Sequence, residues 1–293
     1  MGATGASTDG RRFVQADVHD FAWTTSPDFV EKTAEFDEPG LPKVRMRLLL
    51  QPEHVTTEQI DRHFAATRIA LGNYGRWYGP YPYAQITIVD PVAIFNGAAQ
   101  GVTIHEAGHQ FWYGIVATNE FEHAWMDEGF NTFSTARAIA TEFPQPFGTV
   151  ERYFGGFLPW VYADARWTRE ITGDRLDAYR TVASFDAQAT PTWRYWPGAA
   201  SAITYNKTAL WLNTLERMLG WDTTQKILAT HFARGAFRHP TPAEFFAIAN
   251  EVSGRDLGWF FEAVHRSNAV FDYAVQQVTP VKTGDGFDNL VAV

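Results

Sequence analysis

Four side chains in one stretch of this sequence could share a single piece of chemistry. His105 and His109 stand four apart in Gly101 to Glu128, GVTIHEAGHQFWYGIVATNEFEHAWMDE, where apolar residues recur at helical spacing. Their imidazoles therefore leave one face of a helix, one turn apart, which is the geometry of two ligands on one metal ion. Glu106 follows the first histidine, and its carboxylate can reach the open side of such a metal, where a water would lie. Glu128, nineteen residues beyond His109, can add a third ligand. Two nitrogens and one carboxylate oxygen with a fourth position left open are the donor set of a catalytic zinc site. The elements that must position them are two apolar-periodic segments separated by the polar link Thr118-Asn119-Glu120. If both are helices packed antiparallel, Glu128 returns to the level of the histidines. For HExxH alone the plain alternative is a helix with two surface histidines.

The block Trp125-Met126-Asp127-Glu128-Gly129-Phe130 weighs against that alternative. With HExxH it resembles the aminopeptidase-N-like gluzincin zinc metallopeptidases, whose pattern is HExxH, a fixed gap, then Glu inside W-x-(D/N)-E-G-F. The resemblance is strongest from Gly101 to Ala136. It implies an α+β fold with a thermolysin-like catalytic domain, in which a small mixed sheet precedes a mainly helical part, followed by the start of a helical C-terminal region. It also implies one Zn2+ held by His105, His109 and Glu128, Glu106 as general base, and a peptide substrate. Further on, Tyr205-Asn206-Lys207-Thr208-Ala209 matches the family's tyrosine, any residue, lysine and small pair. On that match Tyr205 supplies the hydroxyl that hydrogen-bonds the oxyanion, although a tyrosine at a helix start is more often packing.

Two departures bear on activity. Where the family has a Gly-x-Met-Glu-Asn motif and an intervening segment, this chain runs Asp90-Pro91-Val92-Ala93-Ile94-Phe95-Asn96-Gly97-Ala98-Ala99-Gln100 straight into Gly101. In the family that glutamate binds the substrate's free α-amino group, and nothing equivalent is identifiable to offset desolvation of an ammonium. Seven residues after Glu128, where the family often has a glutamate that braces the metal ligands, stands Thr135. Asp127 and Glu120 are candidate substitutes for that brace, and His123 reads as a loop residue. Three readings follow: an aminopeptidase by descent, an endopeptidase, or a zinc-containing peptide-binding scaffold without turnover.

The bulk properties narrow the field. With 24 Lys+Arg against 33 Asp+Glu the formal charge is −9, and no basic stripe stands out, so nucleic acid is not an expected partner. Cysteine is absent, which rules out a thiolate metal site. No apolar run approaches a membrane span, and the start MGATGASTDGRRF lacks a signal peptide's apolar core, so the expectation is a soluble chain of unspecified location. Oligomeric state is not legible.

Along the chain, residues 1–12 read as a disordered start. Strands are expected at Phe13 to Val18, Val44 to Leu50 and Ile86 to Val89, with a helix from Thr57 to Trp77 capped by Thr57. After a second metal helix to about Glu142 comes an aromatic, proline-broken stretch from Phe143 to Gly198, with a helix over 150–168, that fits either a cleft wall or a surface insertion. A helix from Tyr205 to Leu219 ends at Gly220. Helices near 224–233, 242–252 and 256–265 and two tail strands, 271–278 and 290–293, follow. The expected organisation is a catalytic domain over 13–220, a partial helical region over 221–270 and a truncated hairpin over 271–293.

Overall fold

A computed structural model describes residues 2–3, 5–7, 11–90, 99–143, 174–269, 277–284 and 286–292. The helix expected over 150–168, the run 91–98 and the first part of the tail strands lie outside the described residues.

The sheet is small and mixed, as expected. β1 (Val30–Phe36) and β2 (Val44–Leu50) pair antiparallel, Val30 facing Leu50 and Phe36 facing Val44. β3 (Gln85–Val89) joins β2 in parallel, Met46 facing Ile86 and Leu48 facing Ile88. Central β2 is buried through Val44, Met46, Leu48, Leu49 and Leu50, which is why its sequence turns from alternating to continuously apolar. β1 escaped the sequence reading. Its Val30-Glu31-Lys32-Thr33-Ala34-Glu35-Phe36 alternates strictly between half-buried and exposed until the buried Phe36, a period-2 signal masked by three charged residues. The strand expected over Phe13 to Val18 is only Phe13–Val14, paired with Ala6–Ser7, and Gly2–Ala3 pairs with Trp23–Thr24.

Parallel strands need a crossover, and α1 (Thr57–Trp77) provides it. Its cap is Thr56, one residue earlier than expected, whose Oγ1 accepts from the Gln59 N–H at 3.2 Å. α1 packs on β2 and on the two helices that carry the metal-ligand candidates, α2 (Ala99–Gly108) and α3 (Glu128–Glu142). Tyr74 of α1 and Tyr78 at its C-cap fasten α3: Tyr74 Oη lies 3.1 Å from Thr135 Oγ1 and Tyr78 Oη 2.9 Å from Ser134 Oγ. So Thr135, standing where the family has a metal-bracing glutamate, serves packing here.

Beyond the segment containing α4 (Asp174–Val182), a π-helical stretch, Ala202–Lys207, runs into α5 (Thr208–Leu219). α6 (Trp221–Gly235) and α7 (Pro242–Ser253) follow, and α7 starts with a capping box, Thr241 and Glu244 bonding each other's backbone. Gly220 takes φ +80 between α5 and α6, the left-handed region where glycine avoids a Cβ clash. The tail forms a hairpin, β4 (Gln277–Thr283) with β5 (Gly286–Ala292), which overlaps the expected strands at 277–278 and 290–292.

The core is aromatic around the site. Phe111, Trp112, Trp125, Phe130, Phe133 and Phe245 are each at most 1% exposed. Because interiors are close-packed, rigid rings at these places fix the backbone from which the ligand side chains leave.

Candidate metal centre

α2 ends at Gly108, yet the His109 N–H still reaches the His105 carbonyl at 3.2 Å. The four-residue spacing thus keeps its helical meaning for the two histidines. The longer first helix expected from the sequence does not form. The chain turns at residues 109–112, and Tyr113 takes φ +107. The second expected helix is also broken, into one turn at Glu120–His123, a 3-10 turn at Ala124–Met126, and α3 proper, whose first residue is Glu128.

Glu128 nevertheless arrives at the histidines. Its Oε2 lies 3.0 Å from His105 Nε2 and 3.2 Å from His109 Nε2. One ligand atom from each of the three lies within 4.8 Å of the others. The two rings stand nearly perpendicular, centroids 4.7 Å apart. Ligands bound tetrahedrally at the usual zinc distances are roughly 3.3 Å from one another, so the separations suit one small cation. Two imidazoles and a carboxylate are also a donor set that zinc accepts and calcium or magnesium does not favour.

The support is specific. His109 Nδ1 lies 2.7 Å from Asp127 Oδ1, which orients the ring and leaves Nε2 for a metal. Asp127 is 2% exposed in its side chain and also meets the Glu120 carboxyl. Burial, with Glu120 adding to it against His109, pushes Asp127 upward. Burial would pull His109 down, but Asp127 and Glu128 outweigh it and push the imidazole up to about 11. Burial likewise opposes ionisation of Glu128, yet hydrogen bonds from His105, His109 and Tyr205 hold it well below the usual carboxylate range. A positive charge is favoured where the three meet, as the raised His109 shows. Asn131 Nδ2 donates to the His105 carbonyl at 2.6 Å, tying α2 to α3; nothing in the sequence motif marked it.

Tyr205 is in the same place. Its hydroxyl donates to Glu128 Oε1 at 2.5 Å, and its ring stacks 6.0 Å from that of His105. Burial, Glu128, and the carboxylates of Asp127 and Glu106 push the phenol above its ordinary range, so it stays a donor. Glu106 is exposed on α2, next to His105 in the chain, and its charge is felt at Tyr205. His123 ends its single turn with Nε2 3.9 Å from Glu122 and is not part of the group.

A family profile described as the peptidase family M1 domain matches residues 93–264. Aminopeptidase M1-D of Oryza sativa subsp. japonica is 26% identical over 185 residues, covering 61% of this chain and 19% of the relative. Aminopeptidase N of Streptomyces lividans is 26% identical over 161 residues, covering 53% and 17%. The chain therefore spans about a fifth of the length of these curated relatives. Among solved structures, the M1 zinc metallopeptidase of Deinococcus radiodurans superposes with a TM-score of 0.59 at 16% identity, over 83% of this chain and 53% of that one. Aminopeptidase A of Legionella pneumophila gives 0.56 at 13% identity, over 80% and 28%. With more than half of its residues inside the matched region, this chain belongs to peptidase family M1.

Proposed function

We propose that this chain is a zinc-dependent peptidase, aminopeptidase-type by descent, with His105, His109 and Glu128 as the metal ligands. The convergence of the three donor atoms within 4.8 Å carries the reading. Zinc held there supplies Lewis-acid polarisation of a carbonyl and of water at neutral pH. Glu106, an exposed carboxylate next to His105 in the chain, takes the proton of the attacking water and delivers it to the leaving amine nitrogen. Tyr205 turns its O–H from Glu128 to the oxyanion of the tetrahedral intermediate. A thermolysin-like catalytic unit over residues 13–220 and the beginning of a helical region over 221–270 are the matching organisation. No helix among the described residues is long and apolar enough to cross a membrane.

Metal analysis and a substrate panel test this together. The expected result is one zinc per chain, hydrolysis lost on chelation and regained with zinc. Glu106→Gln should retain zinc and lose nearly all hydrolysis. Tyr205→Phe should lower kcat by about a hundredfold to a thousandfold while changing KM little. Zinc-independent hydrolysis, or full activity in Glu106→Gln, overturns the assignment. Cleavage of amino-acid amides marks an aminopeptidase, and cleavage of blocked, internally quenched peptides alone an endopeptidase. Neither, despite bound zinc, marks a scaffold.

A further inference from the structure

Lys207 is 4% exposed, and among the described residues no carboxylate forms an ion pair with it. Of the three donors on its ammonium, one reaches the Ser267 carbonyl at 2.9 Å. The group stands 5.6 Å from the centroid of the Tyr179 ring on α4. Burial pulls the ammonium down to about 8, so it still carries its charge at neutral pH. A buried charge without a counter-ion costs stability, because one carbonyl and one ring do not replace the water it gave up. An apolar chain of similar length would fill the place at lower cost. What it would lose is the bond to Ser267.

Lys207 is the last residue of the π-helical stretch Ala202–Lys207 that carries Tyr205. Residues two apart leave an α-helix roughly 200° from each other, on nearly opposite faces, and the wider π turn alters this only modestly. Tyr205 accordingly meets Glu128 and His105 on one side, and Lys207 meets Ser267 on the other. Ser267 follows a second π turn, Glu262–Arg266, and is fastened on both flanks. The Ala189 N–H donates to the His265 carbonyl at 2.8 Å, and Asn268 Nδ2 donates to the Ser184 carbonyl at 3.0 Å. The acceptor is therefore a fixed post. Tyr205 needs one, because an O–H that turns from Glu128 to an oxyanion gives up the hydrogen bond that locates it. The far face of its own helix must then hold it.

We propose that Lys207 is a positioning residue for Tyr205: its bond to the Ser267 carbonyl fixes the π-helical stretch about its axis and so the place of the phenolic O–H. The inference rests on the peptidase reading and adds to it the group that holds the oxyanion donor. Lys207 touches neither substrate nor metal ligand in this role, and its whole effect passes through one hydroxyl.

The test is a double-mutant cycle on the full chain, Lys207→Met with Tyr205→Phe. Lys207→Met should lower kcat by about tenfold or more, since a small misplacement suffices for that, while KM and zinc content stay within about twofold of wild type. Its melting temperature should equal or exceed that of wild type, because a buried charge has been removed. In the Tyr205→Phe background the same change should alter kcat by less than about twofold. Fluorine NMR of the fluorotyrosine-labelled, metal-free protein gives a reading without turnover: the resonance that Tyr205→Phe removes should shift in Lys207→Met. Wild-type kcat in Lys207→Met, losses that multiply in the double variant, an unmoved resonance, or a variant that melts lower or fails to fold each overturns the inference. The two readings fail differently. Wild-type turnover in Tyr205→Phe, or no hydrolysis at all, indicts the peptidase reading and leaves the resonance to decide the role of Lys207. A loss in Tyr205→Phe with Lys207→Met intact indicts this one.

Discussion

Asp127 is the residue on which the candidate ligands depend without its being one of them. It sits one position before Glu128, is buried, and holds His109 by Nδ1 at 2.7 Å. Removing such an outer partner commonly weakens metal binding about tenfold to a hundredfold. We expect Asp127→Ala to bind zinc more weakly by that factor, and Asp127→Asn to fall between, because an amide oxygen still accepts from Nδ1–H but carries no charge. Competition with a chromophoric chelator measures both; an affinity equal to wild type in Asp127→Ala would remove Asp127 from the site. His105, His109 and Glu128 were legible in the sequence because helical periodicity and a fixed gap constrain where they point. Asp127 was one of two candidate braces, with Glu120, and no rule chose between them. The choice depends on the αR backbone of Asp127 at the entrance to α3, and residue types alone do not encode that angle.

The site is assembled by the close approach of elements, and two glycines set the distances. A Cβ built on Gly129 would lie 2.3 Å from Thr208 Cβ, and one on Gly108 would lie 1.9 Å from Asn131 Oδ1. Gly129 follows Glu128 in the first turn of α3. Thr208 opens α5 directly after the π-helical stretch that carries Tyr205. An added methyl must therefore push apart the two elements that bring Tyr205 to Glu128. Gly129→Ala should destabilise the fold by about 1–3 kcal/mol through overpacking and lower turnover as the Tyr205 contact opens. A thermal melt and kcat together check it, and unchanged values for both would mean that α3 and α5 have slack the contacts do not show. The same junction is held by Gln188, fully buried, which donates to Thr208 Oγ1 at 2.6 Å and accepts from Trp211 Nε1 at 3.0 Å. It lies in the stretch that reads equally well as cleft wall or surface insertion. A single polar residue among aromatics and prolines gives no hint that it will be a buried hub.

At the scale of the molecule, α6 and α7 are coupled to the metal-bearing helices through aromatic packing around an imidazole. His231 on α6 is 1% exposed, lies within 5.7 Å of the Phe130 and Phe245 ring centroids and 6.3 Å from that of Trp112, and neither ring nitrogen has a hydrogen-bond partner among the described residues. Phe130 belongs to the block that supplies Glu128, so charge arriving at His231 would strain the wall behind the site. Burial pulls His231 down to about 4, and His265, near the end of the helical part, is likewise down to about 4 through burial and the charges of His123 and Lys207. An imidazole whose folded value lies below its unfolded value of about 6.5 binds its proton more readily when the chain unfolds. Its contribution to stability is complete above about pH 6.5 and is lost as the pH falls towards 4. The slope reaches at most about 1.4 kcal/mol per pH unit for each imidazole. Urea unfolding from pH 7.5 to 5, in chelator so that zinc release does not intrude, should show stability falling with acid, and His231→Leu, close in volume and unable to titrate, should fall less steeply. Parallel losses in the two proteins would mean that His231 is already protonated in the folded state or finds a partner there. A shallower loss in the variant would show that His231 is held without its proton in the folded chain and takes one up on unfolding.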